Sequence, residues 1–119
     1  MNTEQKEKIE KIIKQRKTAH RFYSENSDVY RSFVDMEQKT FKNGTLLKKH
    51  KELIAVGISI VQNCESCMEW HIHQALKAGA AEAQVLEAIE VGIEMGGGPV
   101  TVSSRFALSV LEYYLDGES

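Results

Sequence analysis

Residues 63–71 read NCESCMEWH, and the rest of the chain is organised around this stretch. It contains both cysteines of the protein, Cys64 and Cys67, and a histidine, His71, one helical turn beyond the second cysteine. If the stretch is helical, successive side chains rotate by about 100°, which places these three within a sector of roughly 60° on one face. The spacing therefore predicts a dithiol with an imidazole as its proton partner.

Six segments of the chain carry apolar residues at helical spacing, and glycine-rich or polar breaks separate them. The predicted helices run from Thr3 to about Tyr23, from just after Ser27 to Phe41, from Leu46 to about Val61, from Asn63 to Lys77 or Ala78, from just after Ala81 to Gly96, and from Pro99 to Tyr114. The prediction is an all-α fold of about six helices, in a single domain over residues 1–119. Residues 1–27 contribute an amphipathic, strongly charged helix ahead of the core.

Polar residues in front of these segments are the predicted helix caps. Asn2 precedes the first helix, with Gln5 at the return position of a capping box. Thr45 and Asn63 are predicted to cap the third and fourth helices. The apolar residues 53–61 surround almost the whole second half of the third helix, which predicts that it is buried. A strand is the alternative for this run, but the charged residues 48–52 ahead of it favour a helix.

Composition and charge exclude several classes of partner. The chain has 119 residues, 42% of them hydrophobic and 27% charged, which suits one small globular domain. A net charge of -2 and a pI near 6.1 provide no field that attracts nucleic acid or an anionic membrane. The longest apolar run is too short for a bilayer, and the polar start MNTEQK shows no secretory signal. We therefore expect a cytoplasmic protein, whose two cysteines are catalytic or metal-binding rather than a structural cross-link.

The position of the cysteines at a helix start favours redox chemistry. The unpaired N–H groups and the dipole of a helix N-terminus stabilise a thiolate, which is the reactive form of cysteine. A disulfide between Cys64 and Cys67 closes a very small loop, so it adds little stability and suits cycling between two states. His71 lies four residues after Cys67 and can neighbour it directly. Cys67 is therefore the predicted nucleophile and Cys64 the resolving thiol.

Two other interpretations of these residues remain open. Cys64, Cys67, His71 and His73 resemble four zinc ligands in a row, although His73 projects roughly 180° away from the other three and no second Cys or His pair follows. His73 is predicted instead to be a surface or interface residue. The remaining interpretation is that the two cysteines are simply small residues of an apolar core.

Four short motifs, taken together, resemble a known family. They are KELIA at residues 51–55, the CxxCxxxH pattern at 64–71, ALxxGA at 75–80 and MGGGP at 95–99. Their order and spacing over about residues 28–112 resemble the alkyl hydroperoxidase D-like, or carboxymuconolactone decarboxylase, family. The resemblance implies an all-helical fold that assembles as trimers or hexamers, with the active site beside a subunit interface. We expect no cofactor and no metal.

The resemblance also assigns roles to individual residues. It makes Cys67 the cysteine that peroxide oxidises to a sulfenic acid, and Cys64 the proton donor that then closes the disulfide. Glu52 becomes the base of a relay that acts through His71, although the Lys-rich pattern around Glu52 alone favours a solvated side chain. The best-known peroxidase members carry a relay histidine just before the second cysteine; here that residue is Ser66, which implies a shorter relay.

Two functional hypotheses follow from this reading. The first is a thiol peroxidase or disulfide reductase that acts on hydroperoxides, with electrons from an unidentified dithiol or disulfide reductase. The second is an oligomeric redox-sensing or binding protein whose thiols switch assembly or a partner surface. A lactone decarboxylase is less favoured, because that branch of the family does not use the dithiol. Under either hypothesis we expect a homo-oligomer, since so short a chain leaves apolar surface on each helix uncovered.

Overall fold

Six α-helices form the protein, and no strand occurs among residues 1–118, which are the residues that this computed structural model describes. The helices are α1 (Thr3–Asn26), α2 (Asp28–Thr40), α3 (Lys48–Val61), α4 (Glu65–Lys77), α5 (Glu82–Gly96) and α6 (Gly98–Tyr113), followed by a π-helical segment at Tyr114–Glu118. The predicted all-α fold of about six helices is confirmed.

The first two helices begin at the predicted residues. Asn2 accepts a hydrogen bond from the Gln5 backbone at 2.8 Å, and the Gln5 side chain completes the capping box. Ser27 caps α2 by accepting the backbone N–H of Tyr30 at 3.0 Å. The first helix continues beyond the predicted end at Tyr23, because the Ser27 backbone N–H still bonds to the Tyr23 carbonyl.

The predicted caps of the third and fourth helices are wrong. The third helix begins at Lys48 rather than Leu46, and the Lys48 backbone N–H bonds to the side chain of Asn43 at 2.7 Å, not to Thr45. The fourth helix is capped by Cys64. Asn63 instead has a backbone φ of 52°, a left-handed turn conformation that asparagine tolerates better than most residues.

Helices α3 to α6 surround the hydrophobic core. α3 packs between α4 and α5, and α6 packs across the same group. The fully buried side chains include Val56, Ile60, Met68, Ile72, Val85, Ile89 and Val110. α1 lies outside this group and buries one side chain completely, Ile9, whereas α2 buries none completely. Among residues 1–118, no helix combines the length and apolar character that crossing a bilayer requires.

The prediction that the second half of α3 is buried is wrong for part of its surface. Ile54 is 53% exposed, Ile58 is 51% exposed and Val61 is 45% exposed. Together with apolar residues of α5 they line an open groove of about 710 Å³, which we call the α3–α5 groove. An all-round apolar helix has one face on the core and another that this single chain leaves uncovered.

Gly92 allows α3 and α5 to approach closely. A Cβ atom at Gly92 would lie 2.9 Å from the carbonyl oxygen of Gly57, on the facing helix. We expect Gly92→Val to lower the free energy of unfolding by about 1–3 kcal/mol, because the two helix backbones must move apart. Urea unfolding monitored by circular dichroism measures the change. Gly98→Val is the matched control, since a Cβ there meets no atom within 4 Å, and equal destabilisation by both variants would contradict the argument.

Candidate redox site

The two cysteines are joined to each other. Cys64 and Cys67 form a disulfide, with their Cα atoms 5.2 Å apart, so neither thiol is free. Both side chains are half-buried rather than enclosed in the apolar core. The structure therefore shows the cysteine pair in its oxidised form. The two cysteines are not small residues of the apolar core, which was one of the interpretations left open by the sequence.

A tight turn between α3 and α4 places Cys64 at the helix start. The backbone N–H of Asn63 bonds to Ile60, and that of Cys64 bonds to Ser59 at 3.0 Å. The chain thus reverses immediately after α3. Cys64 Sγ then accepts the backbone N–H of Cys67 at 3.2 Å, as an N-cap side chain does. The positive end of the α4 dipole is consequently directed at the Cys64 sulfur.

Glu52 lies beside His71 in the folded chain. His71 Nδ1 is 2.7 Å from Glu52 Oε1, across the contact between α3 and α4. Glu52 is only 2% exposed, so the alternative of a solvated side chain does not describe it. Lys48 Nζ lies 3.6 Å from the second carboxylate oxygen, and the ring of Phe41 covers His71 with centroids 5.3 Å apart. The carboxylate therefore holds the imidazole in one orientation, partly shielded from water.

A second buried carboxylate, that of Glu69, was not predicted from the sequence. It is fully buried, forms an ion pair with Arg16 Nη1 of α1, and accepts a hydrogen bond from the hydroxyl of Tyr114. Burial raises the pKa of Tyr114 to about 12 and lowers the pKa of Arg16 from its ordinary value. The Arg16 guanidinium also lies over the Trp70 ring, 4.8 Å from its centroid. One signal was present in the sequence: Arg16 occupies the apolar stripe of α1, where a charge needs a buried partner.

The other histidine of the motif lies on this second cluster. The His73 ring stacks on Tyr114 with centroids 4.0 Å apart, and its burial is the main cause of a lowered pKa. It does not join Cys64, Cys67 and His71. Within residues 1–118, no three His, Cys, Asp or Glu side chains are grouped so that they could hold a metal ion.

Two separate clefts approach the site. The α1 cleft, of about 630 Å³, lies between α1 and the start of α4; its lining residues are Lys8, Lys11, Ile12, Gln15, Asn63, Cys64, Glu65 and Ser66. The α2 cleft has a volume of about 660 Å³ and more aromatic lining residues than the α1 cleft. Its lining includes Glu52, Phe41 and Trp70. Cys67 is not among the residues that line either of these clefts. Cys64 and Glu52 therefore line different openings.

The family model for the carboxymuconolactone decarboxylase family matches residues 27–109. The chain belongs to this family. The matched region contains all four predicted site residues and leaves α1 outside, as the resemblance of residues 28–112 implied. The sequence motifs and the family model therefore lead to the same family assignment.

Two proteins with similar sequences are consistent with the family assignment. An "Uncharacterized protein 4 in cox locus" of Paracoccus denitrificans is 37% identical over 81 residues, which is 68% of this chain and 73% of that protein. An uncharacterised protein of Cupriavidus necator is 34% identical over 83 residues, 70% of this chain and 71% of that one.

Solved structures of the family have the same helical fold. A carboxymuconolactone decarboxylase family protein of Legionella pneumophila, in its apo form, superposes with a TM-score of 0.83 at 30% identity, covering 90% of this chain and 96% of that one. A family member of Thermotoga maritima, described with a suggested involvement in the antioxidative response, has a TM-score of 0.83 at 25% identity, covering 91% and 92%.

The buried Glu69 cluster generates a stability prediction. Tyr114→Phe removes the hydroxyl that bonds to Glu69 and leaves a buried carboxylate oxygen without that donor. We expect the free energy of unfolding to fall by about 1–3 kcal/mol. Tyr23→Phe is the control, because Tyr23 is 48% exposed and does not contact Glu69. Chemical unfolding of both variants checks the prediction, and an unchanged midpoint for Tyr114→Phe would count against a structural role for the cluster.

Proposed function

We propose that this protein is a thiol-dependent peroxidase of the alkyl hydroperoxidase type, which reduces hydroperoxides with the Cys64–Cys67 dithiol. The observation that carries the proposal is the 2.7 Å contact between His71 and the buried Glu52, with His71 on a helix whose start carries the disulfide-linked cysteine pair. A general base next to a nucleophile, oriented by a third group, is the arrangement that activates such nucleophiles. The antioxidative description of the Thermotoga maritima relative supports the same proposal.

The oxidative half-reaction starts from the two free thiols. Glu52 holds His71 through Nδ1, which leaves Nε2 to take the proton of the Cys67 thiol, directly or through one water. The Cys67 thiolate attacks the terminal oxygen of the hydroperoxide, so that an S–O bond forms and the O–O bond breaks. The alkoxide leaves and takes the proton of the Cys64 thiol. The products of this step are an alcohol and a sulfenic acid on Cys67.

Closure of the disulfide follows. The Cys64 thiolate, which the backbone N–H of Cys67 stabilises, attacks the sulfenic sulfur of Cys67. The S–S bond forms, and the hydroxide that leaves takes the proton held by His71 to become water. The disulfide in the structure corresponds to the product of this step. Two electrons from a dithiol donor then regenerate the thiols.

Substitution of the relay tests the proposal directly. We expect Cys67→Ser to abolish peroxide consumption with dithiothreitol as reductant, because it removes the attacking sulfur. Glu52→Gln and His71→Ala should each lower the rate by about 10²–10⁴-fold, the usual contribution of general acid–base catalysis. His50→Ala, at an exposed histidine, is the control.

The pKa of the Cys67 thiol provides a second measurement. Alkylation rates of reduced Cys67 as a function of pH should give a higher thiol pKa in Glu52→Gln and His71→Ala than in the wild type. Peroxidase activity that survives Cys67→Ser, or a thiol pKa that neither relay variant changes, would refute the proposed mechanism.

We further propose that the protein acts as a homo-oligomer that covers the α3–α5 groove. Ile54, Ile58 and Val61 of this groove are about half exposed, on a helix with few polar side chains in its second half. A contiguous apolar surface of this kind is typical of subunit interfaces. A trimer or hexamer remains the expected assembly from the family resemblance.

A charge in the groove tests the assembly. Ile58→Glu should shift the protein to monomers in size-exclusion chromatography with light scattering, because it buries an unpaired carboxylate in the interface. Ala83→Glu, exposed on α5 outside the groove, should leave the assembly intact. A wild-type monomer, or an unchanged assembly in Ile58→Glu, would refute this interface.

The redox-sensing alternative is favoured by a different contact. Lys8 of α1 pairs with Glu65 at 3.0 Å, directly beside Cys64, so a change in the disulfide occurs next to a contact between α1 and α4. A sensor predicts that the reduced and oxidised proteins differ in assembly. Identical elution of both forms, together with peroxide turnover, favours the enzyme.

A further inference from the structure

The two sulfurs of the disulfide have different surroundings, although both side chains are half-buried. Cys64 lines the α1 cleft, whereas Cys67 lines neither that cleft nor the α2 cleft. Reduction of a disulfide requires that a thiolate reach one of the two sulfurs. An external donor that enters the α1 cleft therefore meets Cys64 first. Stabilisation of the leaving thiolate does not decide between the two sulfurs. Cys64 Sγ accepts the backbone N–H of Cys67, and Cys67 lies four residues before His71 on the same helix, a spacing at which helical side chains are neighbours.

The α1 cleft also has an excess of positive charge. Lys8 and Lys11 project from α1 into its lining, and Glu65 is the acidic residue among the residues that line it. Glu65 is paired with Lys8 at 3.0 Å, which leaves the charge of Lys11 to set the local potential. A positive cleft raises the local concentration of anionic reactants and stabilises an incoming thiolate. Gln15 and Ile12 complete the α1 side and add no charge.

We propose that the electron donor is a dithiol that carries a negative charge near its sulfurs, and that it attacks Cys64 Sγ from the α1 cleft. This inference rests on the proposed function only in taking the disulfide as a state that is turned over. It assigns to Lys11 the recruitment of the donor. It also gives a role to α1, which lies outside the family-matched residues.

The exchange proceeds in two balanced steps. The donor thiolate forms a bond to Cys64 Sγ while the Cys64–Cys67 bond breaks, and the electron pair goes to Cys67 Sγ. The Cys67 thiolate then takes a proton from water. The second thiol of the donor, as its thiolate, attacks the donor sulfur of the mixed disulfide and releases Cys64 as a thiolate. The donor leaves as a disulfide, so it is oxidised by two electrons and the protein is reduced by two.

The site of attack can be read from the mixed disulfide. Oxidised wild-type protein is mixed with 3-mercaptopropionate, quenched with acid within the first fraction of the reaction, and alkylated with an excess of iodoacetamide. Peptide mass spectrometry should find mercaptopropionate on Cys64 and the alkyl group on Cys67. Mercaptopropionate mainly on Cys67 at the earliest times would overturn the assignment.

The charge of the donor is tested by rates. Reduction of the disulfide is followed with 3-mercaptopropionate, 2-mercaptoethanol and cysteamine, and rate constants are expressed per thiolate. We expect the anionic thiol to react about two- to fivefold faster than the cationic one, as for an exposed charge interaction. The difference should shrink at 0.5 M salt and disappear or reverse in Lys11→Glu. Lys77→Glu, an exposed lysine at the far end of α4, should retain the wild-type order.

The outcomes separate this inference from the proposed function. Equal rates for the three thiols, or a preference that Lys11→Glu does not alter, would overturn the anionic donor. Peroxide consumption is assayed independently with dithiothreitol. A protein that forms the Cys64 adduct with the expected charge preference but consumes no hydroperoxide would keep the proposed donor site and lose the peroxidase.

Discussion

The hydrogen bond between Glu52 and His71 constrains the geometry of the whole redox site. A carboxylate that is 2% exposed is costly to bury unless it is paired and hydrogen-bonded. Its partners come from two helices, Lys48 one turn earlier on α3 and His71 on α4, so the pairing requires that these helices keep their relative position. Because His71 and the cysteines share α4, the same contact also determines where the imidazole lies relative to the thiols.

Among the residues whose burial the structure describes, the carboxylates of Glu52 and Glu69 are buried, and their hydrogen-bond partners differ. Glu52 faces the imidazole of His71, a side chain whose ring nitrogens can donate or accept a hydrogen bond. Glu69 faces Arg16, which stays charged, and the hydroxyl of Tyr114, whose pKa is raised to about 12. The second cluster therefore pairs Glu69 with a guanidinium and a hydroxyl donor rather than with an imidazole. The Glu69 cluster connects α1 and the C-terminal segment to α4, the helix that also carries His71.

The helices were predictable from sequence because glycine breaks and apolar spacing are local signals. Glu52, His71 and the cysteines were predicted as site residues, and the structure brings Glu52 and His71 into contact; only the family resemblance connected these two, since Glu52 lies 19 positions before His71. The caps at Thr45 and Asn63 were wrong because several polar residues compete near each helix start, and the turn geometry selects among them. Glu69 was missed because a buried salt bridge to Arg16, 53 residues earlier, leaves no local pattern. The exposure of Ile54 and Ile58 depends on which faces neighbouring helices cover, which helical periodicity does not specify.

The asymmetry of the two sulfurs follows from the turn between α3 and α4. The left-handed conformation of Asn63 ends α3 abruptly and makes Cys64 the N-cap, outside the helix and open to the α1 cleft. Cys67 is the third residue of α4, about one turn before His71. If the cysteines had both lain within the helix, as the sequence predicted, they would have shared the same surroundings. A cap position for one sulfur and a helical position for the other instead separates the sulfur that lines the α1 cleft from the sulfur one helical turn before His71. In the proposed peroxidase cycle, this division would let Cys64 exchange electrons with a donor while Cys67 exchanges a proton with His71.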